Sequence, residues 1–135
     1  MITATGGKQY QRDYAVSIAE FVCQKFNIEP TVEICLRDMA KDNNYGYCWV
    51  LEDKAYEMEV TRGQRLRTLL TTIAHEMIHV KLYVEGTLDH SVEADMDYWD
   101  RPSEIEAHGR EIGIFIRWAE QQGLADRAWT QAERY

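Results

Sequence analysis

The spacing of hydrophobic side chains predicts a first and a last helix. Apolar residues recur every three or four positions over residues 12–26, which is the period of a helix that buries one face, and Pro30 lies just beyond that segment. The same period returns after Pro102, a residue type that favours the first turn of a helix, and continues to about Gly123. The predicted buried face of this last helix consists of Ile105, Gly109, Ile112, Ile116 and Ala119.

The longest apolar run predicts a central helix over residues 64–85. Thr61 and Gln64 have the spacing of a capping box, in which side chains satisfy backbone groups of the first helical turn. Gly86 supplies the left-handed conformation with which many helices end. The acidic residues 87–101 show no regular period, so we expect a loop or short helical turns there.

Between the first and central helices, the pattern of apolar positions predicts three strands. Residues 31–36 alternate with a period of two, which is typical of a strand with one buried face. Residues 45–51 and 55–60 are rich in aromatic and β-branched residues, and a hairpin through residues 52–54 is their simplest connection. We therefore expect an α+β fold in which a small, mainly antiparallel sheet packs against the central helix.

Length and composition indicate one globular domain. The chain has 135 residues, of which 45% are hydrophobic and 28% charged, close to the average for a soluble globular domain. We expect this domain to span residues 1–135, with frayed segments at residues 1–8 and 130–135. The cysteines are odd in number and widely spaced, so we expect buried thiols and no disulfide framework at Cys23, Cys35 and Cys48.

The balance of charges argues against two classes of partner. Fifteen basic residues against 23 acidic ones give a net charge of −8, which opposes attraction to nucleic acid and to anionic lipid surfaces. No apolar run approaches the roughly 20 residues that span a bilayer, and residues 1–12 lack the pattern of a signal peptide. We therefore predict a cytoplasmic protein that binds neither a membrane nor, directly, nucleic acid.

Candidate chemistry lies in the central helix, where residues 75–79 read His-Glu-Met-Ile-His. Residues four positions apart project from one face of a helix, so His75 and His79 can bind a single tetrahedral Zn²⁺. Glu76 lies about 100° around the helix, where it can contact a zinc-bound water. Zinc lowers the pKa of such a water towards about 7, and the carboxylate can take its proton as the water attacks a peptide carbonyl. The motif predicts zinc-dependent peptide-bond hydrolysis with Glu76 as the general base.

A catalytic zinc site needs a third protein ligand. Leu82 and Glu85 occupy the positions at which a metzincin has glycine and histidine, which argues against that class. The remaining candidates are His90, Glu104, Glu106 and His108.

Helix geometry separates the candidates on the last helix. Glu104 and His108 lie on one side of its predicted apolar stripe, whereas Glu106 lies on the other side, beside Gly109 and Gly113. Glycine allows another backbone to approach closely. We therefore predict that Glu106 reaches the two histidines and is the third ligand.

Three segments carry a resemblance to a known family. They read YGYCWVLEDKAYEMEV at residues 45–60, TTIAHEMIHVKLYVEG at residues 71–86 and YWDRPSEIEAHG at residues 98–109. Together they resemble the small SprT-like or minigluzincin-type zinc metallopeptidases, which bacteriophages often encode. The resemblance implies a compact zincin-like domain in which a helix after the active-site helix carries the third ligand.

The resemblance also bears on the ligand set. In gluzincins the third ligand is a glutamate on a later helix, commonly followed by alanine, and Glu106 with Ala107 resembles that pattern. SprT proteins use a histidine after the active-site helix, often followed by glycine, whereas His90 is followed by Ser91 here. The resemblance thus favours Glu106, with His90 as the alternative.

A gluzincin-type site needs a hydrogen-bond donor for the tetrahedral oxyanion. Tyr83, Tyr98 and His108 have suitable side chains near the motifs. We predict that Tyr98 and His108 assist catalysis. Carboxylates that orient the zinc-binding histidines could come from Glu104, Asp97 or Asp95.

Three functional hypotheses follow. The first is a metalloendopeptidase that binds a protein or peptide substrate as an extended strand along residues 55–60, in the host cytoplasm if a phage encodes it. The second is a catalytically weak or inactive zinc-binding module that binds a host or virion protein. The third is a DNA-associated SprT-like protease. Glu76 favours an enzyme, because a scaffold has no chemical need for a general base.

Overall fold

The computed structural model describes residues 1–38, 46–52 and 54–131. These residues form a four-stranded sheet and four α-helices, which confirms the α+β class. The elements are β1 (Ile2–Gly6), α1 (Gln9–Phe26), β2 (Thr31–Arg37), β3 (Gly46–Glu52), β4 (Ala55–Thr61), α2 (Leu66–Val84), α3 (His90–Glu93) and α4 (Pro102–Gln121), with short 3-10 helices at Tyr98–Asp100 and Ala128–Thr130. Tyr45 and Asp53 of the predicted hairpin, and residues 132–135 of the predicted frayed end, lie outside the described residues.

The sheet is mixed, and the predicted mainly antiparallel sheet is wrong. Its strand order is β1-β2-β4-β3. β1 and β4 both run parallel to β2, and β3 pairs antiparallel with β4, as the predicted hairpin requires. Parallel neighbours need a crossover connection, and α1 supplies it between β1 and β2. The sequence pattern did not reveal this pairing because it lies between segments far apart in the chain.

The amino-terminal segment is a strand, so the predicted fraying of residues 1–8 is wrong. Ile2 pairs with Val32 in a parallel register that continues to Gly6, and the Val32 amide donates to the Met1 carbonyl oxygen over 2.9 Å. Ile2 and Ala4 pack against the core, while Thr3 and Thr5, which alternate with them, are exposed. This strand is short and rich in small residues, which is why its alternation gave a weak signal.

The position of β4 also differs from the prediction. We predicted that substrate binds as an extended strand along residues 55–60, which requires an exposed sheet edge there, but β4 lies between β2 and β3 and pairs with both. An internal strand has no unpaired side for a peptide to join. The edge strand on the side of α2 is β3 instead.

The core surrounds α2, which packs against the sheet on one side and against α1 and α4 on others. This helix begins at Leu66, and the side chain of Gln64 donates to the Thr61 carbonyl oxygen over 2.9 Å. The predicted capping box is therefore not formed, whereas Gly86 does adopt a left-handed φ of 73°. The buried residues of α2 run from Leu69 to Leu82 and include Ile73, Ala74, Met77, Ile78 and Val80.

α4 buries a face that agrees only partly with the prediction, since Ala119 is buried and Ile116 packs against the core. Ile105 and Ile112 are 59% and 44% exposed, and Gly109 is also exposed. The buried stripe contains larger side chains, which remove more apolar area from water. Its members are Ala107, Ile114, Phe115, Trp118 and Ala119.

The three cysteines do not share one environment, since Cys35 is buried while Cys23 and Cys48 are partly exposed.

No helix in the described ranges 1–38, 46–52 and 54–131 is long and apolar enough to cross a membrane.

Candidate metal centre

A cleft of about 470 Å³ runs between α2, β3 and α4. α2 contributes His75, Glu76 and His79, all of which are buried although they are polar. The segment between α2 and α4 forms a further wall through His90, Tyr98 and Arg101. The other lining residues are Gly46, Tyr47 and Cys48 of β3, Thr72 and Tyr83 of α2, and Glu104, His108 and Glu111 of α4.

Three side-chain atoms converge inside this cleft. The Oε1 atom of Glu104 lies 2.8 Å from Nε2 of His75 and 3.1 Å from Nε2 of His79. The two Nε2 atoms are 3.3 Å apart. Tetrahedral ligand atoms that lie about 2.0–2.2 Å from Zn²⁺ stand roughly 3.3 Å from one another. The chemistry and spacing of these donors therefore fit a divalent metal ion.

Glu106 lies elsewhere, so its predicted approach to the histidines is wrong. Its carboxylate accepts a hydrogen bond from Arg110 Nε over 3.2 Å and lies 3.8 Å from Lys81 Nζ. The close approach that Gly109 and Gly113 were expected to allow does not occur, since no heavy atom of the described residues lies within 4 Å of a Cβ built on either glycine. The cause is the rotation of α4, which turns Glu104 towards α2.

His90, the alternative third ligand, lies at the cleft wall. Its ring centroid is 5.3 Å from that of Tyr83, which in turn stacks on Tyr56 at 5.8 Å. His90 thus stands beside the group formed by His75, His79 and Glu104 rather than within it.

Tyr98 and His108, both predicted catalytic residues, border the three converging atoms. The Tyr98 hydroxyl lies 3.0 Å from Glu104 Oε1 and 2.9 Å from His108 Nε2. The ring centroids of His108 and His75 are 4.5 Å apart. Both predicted residues are therefore brought together with the histidine pair. Asp95 and Asp97, considered as orienting carboxylates, are exposed and do not line the cleft.

Glu111 is the residue that the sequence analysis missed. Its Oε2 atom lies 3.3 Å from Nδ1 of His75, and its Oε1 atom lies 2.9 Å from Nδ1 of His108. Glu104, His108 and Glu111 follow one another at intervals of four and three residues, which places them on one face of α4. That spacing was the available signal, but it points to the cleft only once the rotation of α4 is known.

Burial and charge act together on the ionisable groups. Burial raises the pKa of Glu76, which is 8% exposed, and the positive charges of His79 and His75 oppose that rise. Burial lowers the pKa of His75, but its hydrogen bonds to Glu104 and Glu111 outweigh this effect and raise the pKa to about 10. Burial raises the pKa of Glu104, yet the hydrogen bonds from His75 and His79 hold it well below its usual range.

No family model, curated protein or solved structure matches this chain. The resemblance to SprT-like and minigluzincin-type peptidases therefore remains a prediction.

Proposed function

We propose that this protein is a zinc-dependent metallopeptidase whose metal ligands are His75, His79 and Glu104. The convergence of their three donor atoms within 3.3 Å of one another carries the proposal. Two imidazoles and one carboxylate are a ligand set that suits catalytic zinc, which keeps a fourth position for water or substrate. When bound, the metal would supply Lewis acidity and lower the pKa of a coordinated water.

Glu76 is the proposed general base. One of its carboxylate oxygens lies within 4.8 Å of a ring nitrogen of His75 and of His79, close enough to contact a water in the cleft. Burial raises the pKa of this carboxyl, which makes it a stronger base than an exposed glutamate. It would take a proton from the attacking water and pass that proton to the leaving amine. Tyr98 and His108 are the proposed oxyanion donors, because both border the same cleft.

The substrate is proposed to bind as an extended strand beside β3. Gly46, Tyr47 and Cys48 line the cleft, and β3 is an edge strand of the sheet. Backbone groups on such an edge can pair with an added peptide strand, which positions a peptide bond without reading its side chains closely.

The test begins with metal content. We expect one zinc per chain in the wild type and in Glu106→Ala, and its loss in Glu104→Ala, as measured by mass spectrometry after reconstitution and desalting. Glu106→Ala is the matched control because it removes a carboxylate two positions away on the same helix. Absence of zinc from the reconstituted wild type would refute the proposal.

Cleavage of a quenched fluorescent peptide library completes the test. Glu76→Gln should retain zinc and lose at least about 100-fold in kcat, because general-base catalysis contributes about 10²–10⁴-fold. A zinc-loaded wild type that cleaves no peptide would instead favour the zinc-binding module.

A further inference from the structure

The carboxylate of Glu111 contacts two histidines at the edge of the candidate metal centre. Its two oxygens are divided between them, with Oε2 at 3.3 Å from His75 Nδ1 and Oε1 at 2.9 Å from His108 Nδ1. The side chain is only 18% exposed, so water competes weakly for these contacts. The two rings it contacts are themselves adjacent, with centroids 4.5 Å apart.

These contacts at Nδ1 determine the direction in which the Nε2 atom of each ring points. An ionised carboxylate only accepts hydrogen bonds, so the Nδ1 atoms of His75 and His108 must each carry a proton to bond Glu111. A neutral His75 then has its Nε2 lone pair directed at the position shared with His79 and Glu104, which is the form that binds a metal. With its Nδ1 proton bonded to Glu111, His108 can donate from Nε2 only as the imidazolium, and this Nε2 atom is directed at the Tyr98 hydroxyl, 2.9 Å away.

Glu111 can perform this role because α4 is anchored near both ends. At its start, the backbone amide of Ser103 donates to Glu93 over 3.2 Å, and the Ser103 hydroxyl bonds the same buried carboxylate. Beyond Glu111, Phe115 and Trp118 are fully buried. The packing of α4 therefore fixes the position of Glu111 relative to His75.

We propose that Glu111 is a positioning residue that orients a metal ligand, His75, and an oxyanion donor, His108, with a single carboxylate. This inference rests on the proposed function. It differs from a general stabilising role because it predicts two separate losses when the carboxylate is removed, one in metal affinity and one in turnover.

The first loss is measured without activity. Glu111→Gln keeps the size of the side chain but can accept a hydrogen bond at only one of its two ends. We expect its zinc affinity, from competition with a chromophoric chelator, to fall about 10- to 100-fold, as for other residues that orient metal-bound histidines. Glu106→Gln is the matched control and should bind zinc like the wild type. Thermal unfolding of both variants checks that each is folded.

The second loss is measured at saturating zinc, where every variant is loaded. We expect kcat to fall in Glu111→Gln and in His108→Ala, and the double variant to lose no more than His108→Ala alone, because both changes disable the same donor. The zinc affinity of His108→Ala should stay within about threefold of the wild type, since His108 is not a proposed ligand.

Three results would overturn the inference. In the first, the wild type binds zinc and is active, and Glu111→Gln keeps both its zinc affinity and its kcat. This result would refute the role of Glu111 and leave the proposed function intact. Two zinc ions per wild-type chain, with the second lost in Glu111→Gln, would instead make His75, His108 and Glu111 a metal site, as their ligand atoms lie within 4.8 Å of one another. A wild type without zinc or activity would remove both proposals.

Discussion

His75 lies between two carboxylates. Glu104 contacts its Nε2 atom and Glu111 its Nδ1 atom, at 2.8 Å and 3.3 Å. These contacts favour the imidazolium form and raise its pKa to about 10, although burial acts in the opposite direction. The proposed metal ion would bind the neutral ring, so loading the site would release this proton. The proposed metal affinity would therefore be coupled to pH through His75.

The stability of the chelator-treated protein should follow from the same contacts. The folded pKa of His75 is about 10 against a reference of 6.5, so its contribution is complete below about pH 6.5 and is lost as the pH rises through about 10. Glu104 has a lowered pKa against a reference of 4.5, so its contribution is present above about pH 4.5 and is lost as the pH falls. We expect the melting temperature to be highest between these limits.

Circular dichroism melts of the metal-free protein from about pH 4 to pH 10 would measure this profile. His75→Asn is the control, because it lacks the group that titrates on the alkaline side. Parallel alkaline declines in the wild type and in His75→Asn would contradict the assignment to His75.

The rotation of α4 determines which of its carboxylates enters the cleft. The helix carries two apolar stripes, one with Ile105 and Ile112 and the other with Phe115 and Trp118. Spacing alone does not choose between them, whereas the greater area of the aromatic rings favours burying the second. That choice turns Glu104 inward and leaves Glu106 beside Lys81.

The sequence was therefore informative about some features of the site and not about others. His75, Glu76 and His79 could be predicted because a fixed spacing within one helix determines their geometry. Glu104 and Glu111 could not, because their position depends on how α4 packs against α2. The parallel pairing of β1 with β2 was missed for a similar reason, since it depends on contacts between distant segments.

The approach of β3 to α2 depends on Gly46. A Cβ atom at this position would lie 2.8 Å from Thr72 Cγ2 and 3.3 Å from the Glu59 carbonyl oxygen. We expect Gly46→Ala to lower the free energy of unfolding by about 1–3 kcal/mol, the usual range for overpacking. Gly113→Ala is the control: no heavy atom in the described part of the chain lies within 4 Å of its Cβ position, and alanine should stabilise the helix by about 0.5–1 kcal/mol. Urea denaturation measures both changes, and equal stabilities would contradict this packing argument.

Across the whole molecule, the cleft and the elements that support it come from different parts of the chain. Every residue that lines the cleft, within the part of the chain that the structure describes, lies between positions 46 and 111. β1, α1 and β2 precede that range, and α1 packs on α2 through buried residues such as Ile18 and Val22. The first quarter of the chain therefore supports the cleft by packing: α1 contacts both α2 and α4, and β2 pairs with β4.

A metal ion held by both α2 and α4 would join two elements that are distant in sequence. Binding to the folded state alone adds about 2.7 kcal/mol at a hundredfold excess over the dissociation constant. We expect zinc to raise the melting temperature of the wild type and of Glu106→Ala by roughly 10 °C. Glu104→Ala should respond much less, because only the two histidines of α2 remain. Scanning calorimetry with and without chelator measures the shift, and an equal response in Glu104→Ala would show that the ion binds elsewhere.

Among the described residues no strand pairs with the outer side of β3, and this edge also affects how the protein behaves in concentrated solution. Val50 and Leu51 on this strand are 45% and 55% exposed, so the edge offers apolar side chains as well as backbone groups. An edge of this kind accepts the same strand from another copy of the chain, which is how ordered aggregates begin. The register shift between Val50 and Glu52 interrupts regular pairing, and a net charge of −8 keeps copies apart. Solubility therefore depends on the acidic surface, and conditions that neutralise it would favour self-association through β3.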